Sequence, residues 1–323
     1  MSVYKERIEW LQQSIASVLS QSYTDFEFII ICDNPSYREG IDFIKECQEK
    51  DKRIILIVNK ENKGLTKSLN IGINRARGKY IVRMDADDIS LPTRIAQQVK
   101  YMESHPQIVA SGTGAYKWQN STLKRLHRRD NSKSLRSMLI FESPIYHPSA
   151  IFLKEINGGV VNYDESFKYS QDYALWISLL KKYRLSNIDK PLIMYRISSE
   201  QISSAKHNEQ QIYAIQNLKS ALALLGIEMS DSDFNILLSL TRNPELVFDL
   251  KEIEAFILRF ADCIVRRNDL SYREMISYVS LAYINRVTKE KRILPSIYSY
   301  IKLCKNVKHF SFYNFFSLIS KYI

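Results

Sequence analysis

The apolar residues of the first hundred positions follow two alternating periods. Ile8, Leu11, Ile15, Val18 and Leu19 recur every three or four positions and predict an amphipathic helix. Phe26 to Cys32 (FEFIIIC) and Ile54 to Val58 (IILIV) are short runs of apolar residues, the pattern of strands buried on both faces. Between them, Tyr37 to Lys50 is a polar helix candidate. Leu65, Leu69, Ile73 and Ala76 mark another amphipathic helix, ended by Gly78. Tyr80 to Met84 is a third strand, and Pro92 stands near the start of a helix carrying Ile95, Val99 and Met102.

Strands alternating with helices predict parallel βαβ units, hence an α/β fold with a mostly parallel sheet flanked by helices. Residues 108–196 mix short strands with one clear helix, from Gln171 to Tyr183, in which Trp176 and Leu179 face the core. From about Ser204 the pattern becomes consecutive helices. Leu222, Leu225, Phe234, Leu237, Leu238, Phe256, Ile257 and Phe260 are their core candidates. The expected organisation is a catalytic domain over 1–204 and a helical domain over 205–323.

Composition adds further constraints. With 323 residues, 45% hydrophobic and 25% charged, the chain has ample material for a core. Cys32, Cys47, Cys263 and Cys304 form no metal-binding spacing and read as reduced thiols, which predicts a cytoplasmic protein. No apolar run approaches the roughly 20 residues that cross a bilayer. A net charge of +11 favours anionic partners such as nucleotide phosphates, phospholipid headgroups or lipid-linked diphosphates. Nucleic acid is not expected, since there is no helix-turn-helix, zinc spacing or RNP-like strand. The tail from Lys289 interleaves Lys291, Arg292, Lys302, Lys305 and Lys308 with Tyr298, Tyr300, Phe310, Phe312, Tyr313, Phe315 and Phe316. It is either a membrane-surface contact or a helical pair with solvated lysines.

In parallel α/β sheets, ligands bind beyond the carboxyl ends of the strands. Two acidic sites fall there: Asp33, and Asp85-Ala86-Asp87-Asp88 after YIVRM. Carboxylates at such an edge repel a nucleotide diphosphate unless a divalent cation lies between them. Mg²⁺ and Mn²⁺ prefer oxygen ligands and bridge phosphates readily. Arg83 shares a strand face with Ile81 and Asp85, where it reaches either a phosphate or an acid.

Six segments, in order, carry a resemblance: MSVYKE, SQSYTDFEFIIICDN, NKGLTKSLNIGINRARGKYIVRMDADDISLP, HPSAIF, QDYALWISLL and YRISSEQIS. From Met1 to about Ser204 the chain resembles family 2 glycosyltransferases of the GT-A fold, the type that builds bacterial capsule, O-antigen and other surface polysaccharides. The resemblance implies an inverting, metal-dependent hexosyltransferase using a nucleotide sugar, UDP-linked by family frequency, with Mg²⁺ or Mn²⁺. It implies a glycan acceptor that is lipid-linked, and a place at the inner face of the cytoplasmic membrane. It assigns Val3, Tyr4, Asp33, Asn62, Gly64 and Asp85 to the donor, with Arg83 as a phosphate candidate. Asp87 becomes the metal ligand and Asp172 the base that deprotonates the acceptor. Without the resemblance, Asp172 reads first as a helix cap or dipole partner, and only the resemblance favours catalysis. Asp88 and His147 are candidates for acceptor or cleft contact. Asn70 and Gly72 match the pattern for packing and turn geometry.

The match departs in two places. Relatives carry several apolar residues before a segment like MSVYKE, forming a central strand, and Met1 stands where that strand should finish. The expectation is a start upstream of Met1, or a sheet whose neighbouring strands lose ladder partners. Many relatives also place a histidine after Tyr-Arg, where this chain has Ser198 and Ser199. Asp87 is then expected to be the one protein side chain on the metal. The competing reading is a glycan-, nucleotide- or partner-binding protein of this fold without catalysis.

Overall fold

The computed structural model describes residues 1–119, 122–127, 132–198, 207–243 and 245–289, together with Leu303, Asn306 and Val307. The tail read as a membrane contact lies outside the described residues, apart from these last positions. The chain divides into two compact units: residues 1–132 with 143–213, and residues 133–142 with 214–323.

The first unit is α/β. Strands β1 (Ser2–Val3), β2 (Phe28–Cys32) and β3 (Ile54–Val58) lie parallel in the order β1-β2-β3, with helices α1 (Ile8–Leu19) and α2 (Arg38–Lys50) between them in the chain. β2 and β3 run in unbroken register from Phe28↔Ile54 to Cys32↔Val58. Leu11, Ile15, Phe28, Ile30, Ile44 and Ile54 close the core beneath them, all buried.

Helix α3 (Leu65–Arg75) leads to β4 (Tyr80–Val82), and β5 (Ile89–Ser90) precedes α4 (Arg94–Ser104). A second sheet of mixed direction adds β6 (Ile108–Gln119), β7 (Thr122–Leu126), β8 (Ile151–Leu153) and β11 (Arg184–Arg196), in the order β4-β8-β6-β11-β5 with β7 on β6. The long β6 and β11 run parallel, while β4, β5 and β7 pair antiparallel. Between β8 and β11 come the small hairpin β9 (Glu155–Ile156) and β10 (Gly159–Val160), then helix α6 (Gln171–Leu180). Trp176 and Leu179 on α6 are buried, as their spacing predicts.

Three element ends differ from the sequence reading. Helix α3 stops at Arg75, three residues before Gly78, because Glu27 Oε1 accepts the amides of Arg77 (2.6 Å) and Gly78 (3.1 Å). The β4 ladder covers only Tyr80–Val82, since Asp85 bridges Ser2 of β1 instead. Helix α6 ends at Leu180, where the amides of Lys182 and Tyr183 both turn back to the Leu179 carbonyl and the chain enters β11.

The second unit is helical: α5 (Ser132–Met138), α7 (His207–Leu225, whose first residues belong to the first unit), α8 (Asp231–Thr241), α9 (Leu250–Val265) and α10 (Tyr272–Lys289). Asp249 and Glu252 form a reciprocal capping box that starts α9. Leu222, Leu225, Leu237, Leu238, Phe256, Ile257 and Phe260 share one core, with Phe234 half-buried against it. The segment 133–142 belongs here because Ile140 enters that core and its carbonyl accepts from Arg242 at 2.7 Å. Among the described residues, no helix is long and apolar enough to cross a membrane. Cys32, Cys47 and Cys263 are free thiols, and Cys32 is buried.

Candidate active site

The acidic loop after β4 is gripped by two buried arginines. Arg94, on the first turn of α4, donates from Nη2 to the Arg83 carbonyl (2.5 Å) and from Nε to Gln98 (2.9 Å). Its complete burial pushes its pKa down to about 9. Arg196, the last residue of β11, donates from Nε to the Asp87 carbonyl (2.8 Å) and from Nη2 to Gln13 (2.7 Å). Its guanidinium lies 4.1 Å from the Trp118 ring centre and 5.0 Å from that of Trp10. This stacking suits the planar guanidinium and not an ammonium. The Ser14 hydroxyl holds the Asp85 carbonyl at 2.9 Å.

Within this frame the oxygens of Asp85, Asp87 and Asp88 lie within 4.8 Å of one another. Asp85 pairs with the buried Arg83, the acid among the two partners its strand face allows. Asp88 is fully buried. One oxygen accepts the Arg196 amide at 2.8 Å, and Oδ2 has no hydrogen-bond partner among the described residues. Burial, then the charges of Asp85 and Asp87, raise its pKa well above the carboxylate range. An unpartnered buried oxygen costs about 1–3 kcal/mol. Three hard oxygen donors, one of them unsatisfied, fit Mg²⁺ or Mn²⁺. Asp85 and Asp88 lie beside Asp87, the residue expected from the sequence to hold the metal.

Asp172 stands on the first turn of α6, after Ser170 in a left-handed conformation (φ 55°). Its Oδ2 accepts from the Ser143 hydroxyl at 3.3 Å. Burial raises its pKa, opposed by the Tyr173 amide, the Arg83 charge and Ser143. His147 meets the Tyr163 hydroxyl at 2.7 Å through Nε2. Burial and the Arg83 charge lower its pKa well below the usual imidazole value, so it is neutral at pH 7. Arg83 is the common neighbour: its charge acts on Asp85, Asp88, His147, Tyr163 and Asp172.

The remaining predicted donor residues form a second network. Asp33 accepts from Asn59 (2.7 Å) and the Lys63 amide (2.8 Å) with Oδ1, and from the Gly64 amide (2.8 Å) with Oδ2. Asn62 also accepts the Gly64 amide, at 2.9 Å. Gly64 has φ +85°, a conformation that glycine adopts without strain. The buried Val3 links this network to the acids: its carbonyl takes the Asp33 amide at 2.8 Å, while the preceding Ser2 bridges Asp85. The Tyr4 ring is exposed, and its amide donates to Glu6 at 2.9 Å. Asn70 ties α3 to Tyr163 by two bonds of 2.9 Å, the packing role its position implied. Asp33→Ala should destabilise the fold by roughly 2–4 kcal/mol, because three donors lose a buried carboxylate. Urea unfolding, compared with parent protein, measures it.

Sequence reasoning missed Glu6, Arg94, Tyr163 and Arg196. Arg196 lay in a motif already singled out, YRISSEQIS, but nothing local revealed its reach to Asp87. Glu6 is raised from 4.5 to about 7, by burial first and also by Asp87 and Asp85. The folded protein therefore holds a proton that the unfolded chain releases above its own pKa. Stability from this group is present below pH 4.5 and lost as pH rises to about 7. Glu6→Gln should match the parent at pH 4 and melt higher than it at pH 8, in thermal scans.

A parallel βαβ sheet, a mixed sheet whose strand β4 leads into a carboxylate cluster, and a helical C-terminal region fit the GT-A glycosyltransferase fold that the sequence resemblance implies. The comparisons agree. The model of glycosyl transferase family 2 matches residues 1–160. An uncharacterised glycosyltransferase of Methanocaldococcus jannaschii is 36% identical over 224 residues, which span 68% of this chain and 77% of that protein. The O-antigen biosynthesis glycosyltransferase WbnJ of Escherichia coli is 30% identical over 64% of this chain and 83% of its own length. The crystal structure of S. aureus TarS 1-349 in complex with UDP-GlcNAc superposes with a TM-score of 0.59 at 13% identity, over 93% of this chain and 88% of that one. Against a longer TarS chain, the match spans 52% of its length. The chain belongs to glycosyl transferase family 2.

Proposed function

We propose that this protein transfers a hexose, with inversion, from a UDP-linked sugar to a lipid-linked glycan acceptor in surface polysaccharide synthesis. The observation that carries the reading is the cluster of Asp85, Asp87 and Asp88 within 4.8 Å, with Asp172 sharing the same buried Arg83. Likeness to WbnJ supports the polysaccharide, and the UDP-GlcNAc held by TarS supports the nucleotide. The basic aromatic tail supports an acceptor at the inner membrane face.

In this reading Asp87 is the metal ligand, with Asp85 and Asp88 beside it. A divalent cation there would neutralise charge on the departing diphosphate. Asp172 takes the proton of the acceptor hydroxyl as general base. The acceptor oxygen bonds the anomeric carbon as the bond to the diphosphate oxygen breaks, and the electron pair leaves with the diphosphate. Attack from the opposite face inverts the centre, with no covalent enzyme intermediate. Asp33, Asn62 and Gly64 shape the wall beside the donor, and the backbone of Val3 and Tyr4 faces its base. Neutral His147 is an acceptor-side hydrogen-bonding group.

The test is incubation with UDP-sugars, Mn²⁺ and membrane lipid extract carrying undecorated acceptors. A mass gain of one hexose on the lipid-linked glycan, with release of UDP, is the expected result. Absence of any transfer, with nucleotide binding intact, would instead support the binding protein.

A further inference from the structure

One ribbon of the first unit concentrates positive charge. From Lys117 to Arg129 the sequence KWQNSTLKRLHRR holds five lysines and arginines and no acid, close to half of the net +11 of the chain. The described residues of this stretch form the ribbon of β6 and β7, where Thr122, Leu123, Lys124 and Arg125 are all exposed. Lys117 of β6 stands directly opposite Lys124 of β7. Neither ammonium has a salt bridge or a hydrogen bond among the described residues. Like charges directly opposite one another on a ladder are destabilising. Lysine on an edge strand also keeps other chains from pairing with it. That role explains Lys124 but not Lys117, because β6 lies inside the sheet. Arg125 donates only to the Asp189 carbonyl, at 3.3 Å, while the Asp189 carboxylate meets His127 at 3.1 Å. Three cations therefore stand together without an acid to balance them.

The ribbon stands at the ligand end of its sheet. β6 and β11 run parallel, and Trp118 pairs with Arg196 at their carboxyl ends. The Trp118 ring stacks on the guanidinium that holds the Asp87 carbonyl. A surface docked on the ribbon thus lies beside the acidic cluster. Leu123, opposite Trp118 on the ladder, is 56% exposed among these cations. Cations flanking an exposed apolar side chain suit a layer of anionic headgroups over acyl chains. A soluble polyanion would answer the charges and leave Leu123 in water.

We propose that the β6–β7 ribbon docks on an anionic lipid surface, with Lys117, Lys124 and Arg125 meeting the phosphate headgroups and Leu123 entering the interface. The headgroups remove the repulsion between Lys117 and Lys124. The use of this surface, presenting a lipid-linked acceptor to the acidic cluster, rests on the sugar-transfer reading. The docking itself does not, and its test uses no activity.

The test is binding of the full chain to vesicles of phosphatidylcholine alone and of phosphatidylcholine mixed with phosphatidylglycerol. The parent should bind only the mixed vesicles, and more weakly as salt is raised. The double variant Lys117→Gln, Lys124→Gln should bind them about 30-fold more weakly. It should melt no lower than the parent, because the repelling pair is gone. Leu123→Ser should bind about tenfold more weakly, with the salt dependence of the parent. UDP binding in the presence of Mn²⁺ should be unchanged in both, so that a failure of docking and a failure of the donor site are read apart. Parent-level vesicle binding by the double variant, the result a contact through the tail alone would give, would overturn the proposal. So would equal binding of the two vesicle types by the parent, or no binding of either. Tighter binding of single-stranded DNA than of mixed vesicles, lost in the double variant, would overturn it in favour of a nucleic-acid site.

Discussion

Asp172→Asn should lower the turnover of sugar transfer by about 10²–10⁴-fold while leaving nucleotide affinity unchanged. Asparagine keeps the size and the contact with Ser143 but cannot take a proton. The environment bears on the aspartate as a base: burial raises its pKa, opposed by the Tyr173 amide, the Arg83 charge and Ser143. The acid limb of the parent's turnover should therefore lie above the free-aspartate value of about 3.9, with activity lost as pH falls through it. Measuring UDP release and nucleotide affinity on the same preparation separates the two effects. A variant that loses both would make Asp172 a structural cap, the role its position at a helix start also allows.

Asp87→Ala should abolish metal-dependent nucleotide binding, with a loss of at least about 100-fold in affinity, and leave thermal stability near that of the parent. The asymmetry among the three acids argues this. Asp85 is engaged by Arg83, and Asp88 is buried with one oxygen on the Arg196 amide. Arg196 holds Asp87 through its backbone carbonyl, a bond that Asp87→Ala keeps. Removing Asp88 should behave differently, destabilising the loop because its bond to β11 goes too. Mn²⁺ titration followed by paramagnetic resonance, with UDP present, distinguishes the two variants.

Much of the fold was legible because its signals are local. The run FEFIIIC is apolar on both strand faces, and Phe28–Cys32 is covered on both. The 3.6-residue stripes of α1 and α3 needed only their own spacing. The acids after YIVRM stood out as a candidate site because they follow an apolar strand in a βαβ series, although β4 pairs antiparallel with β8 in the mixed sheet. What was not legible depends on residues far apart in the chain. Arg196 reaches Asp87 from 109 positions away, and Asp33 spends its oxygens on a loop 30 residues downstream. No periodicity encodes either. The transfer of 133–142 to the helical unit is equally non-local, since Ile140 joins a core built from residues after 214.

The central claim, a nucleotide-sugar site built on the acidic cluster, is tested most directly by calorimetric titration with UDP, GDP and dTDP, each with and without Mn²⁺, on the parent and Asp87→Ala. The account predicts that UDP binds the parent only when Mn²⁺ is present, and that Asp87→Ala loses this binding. Binding of no nucleotide, or UDP binding that ignores both the metal and the substitution, would contradict it.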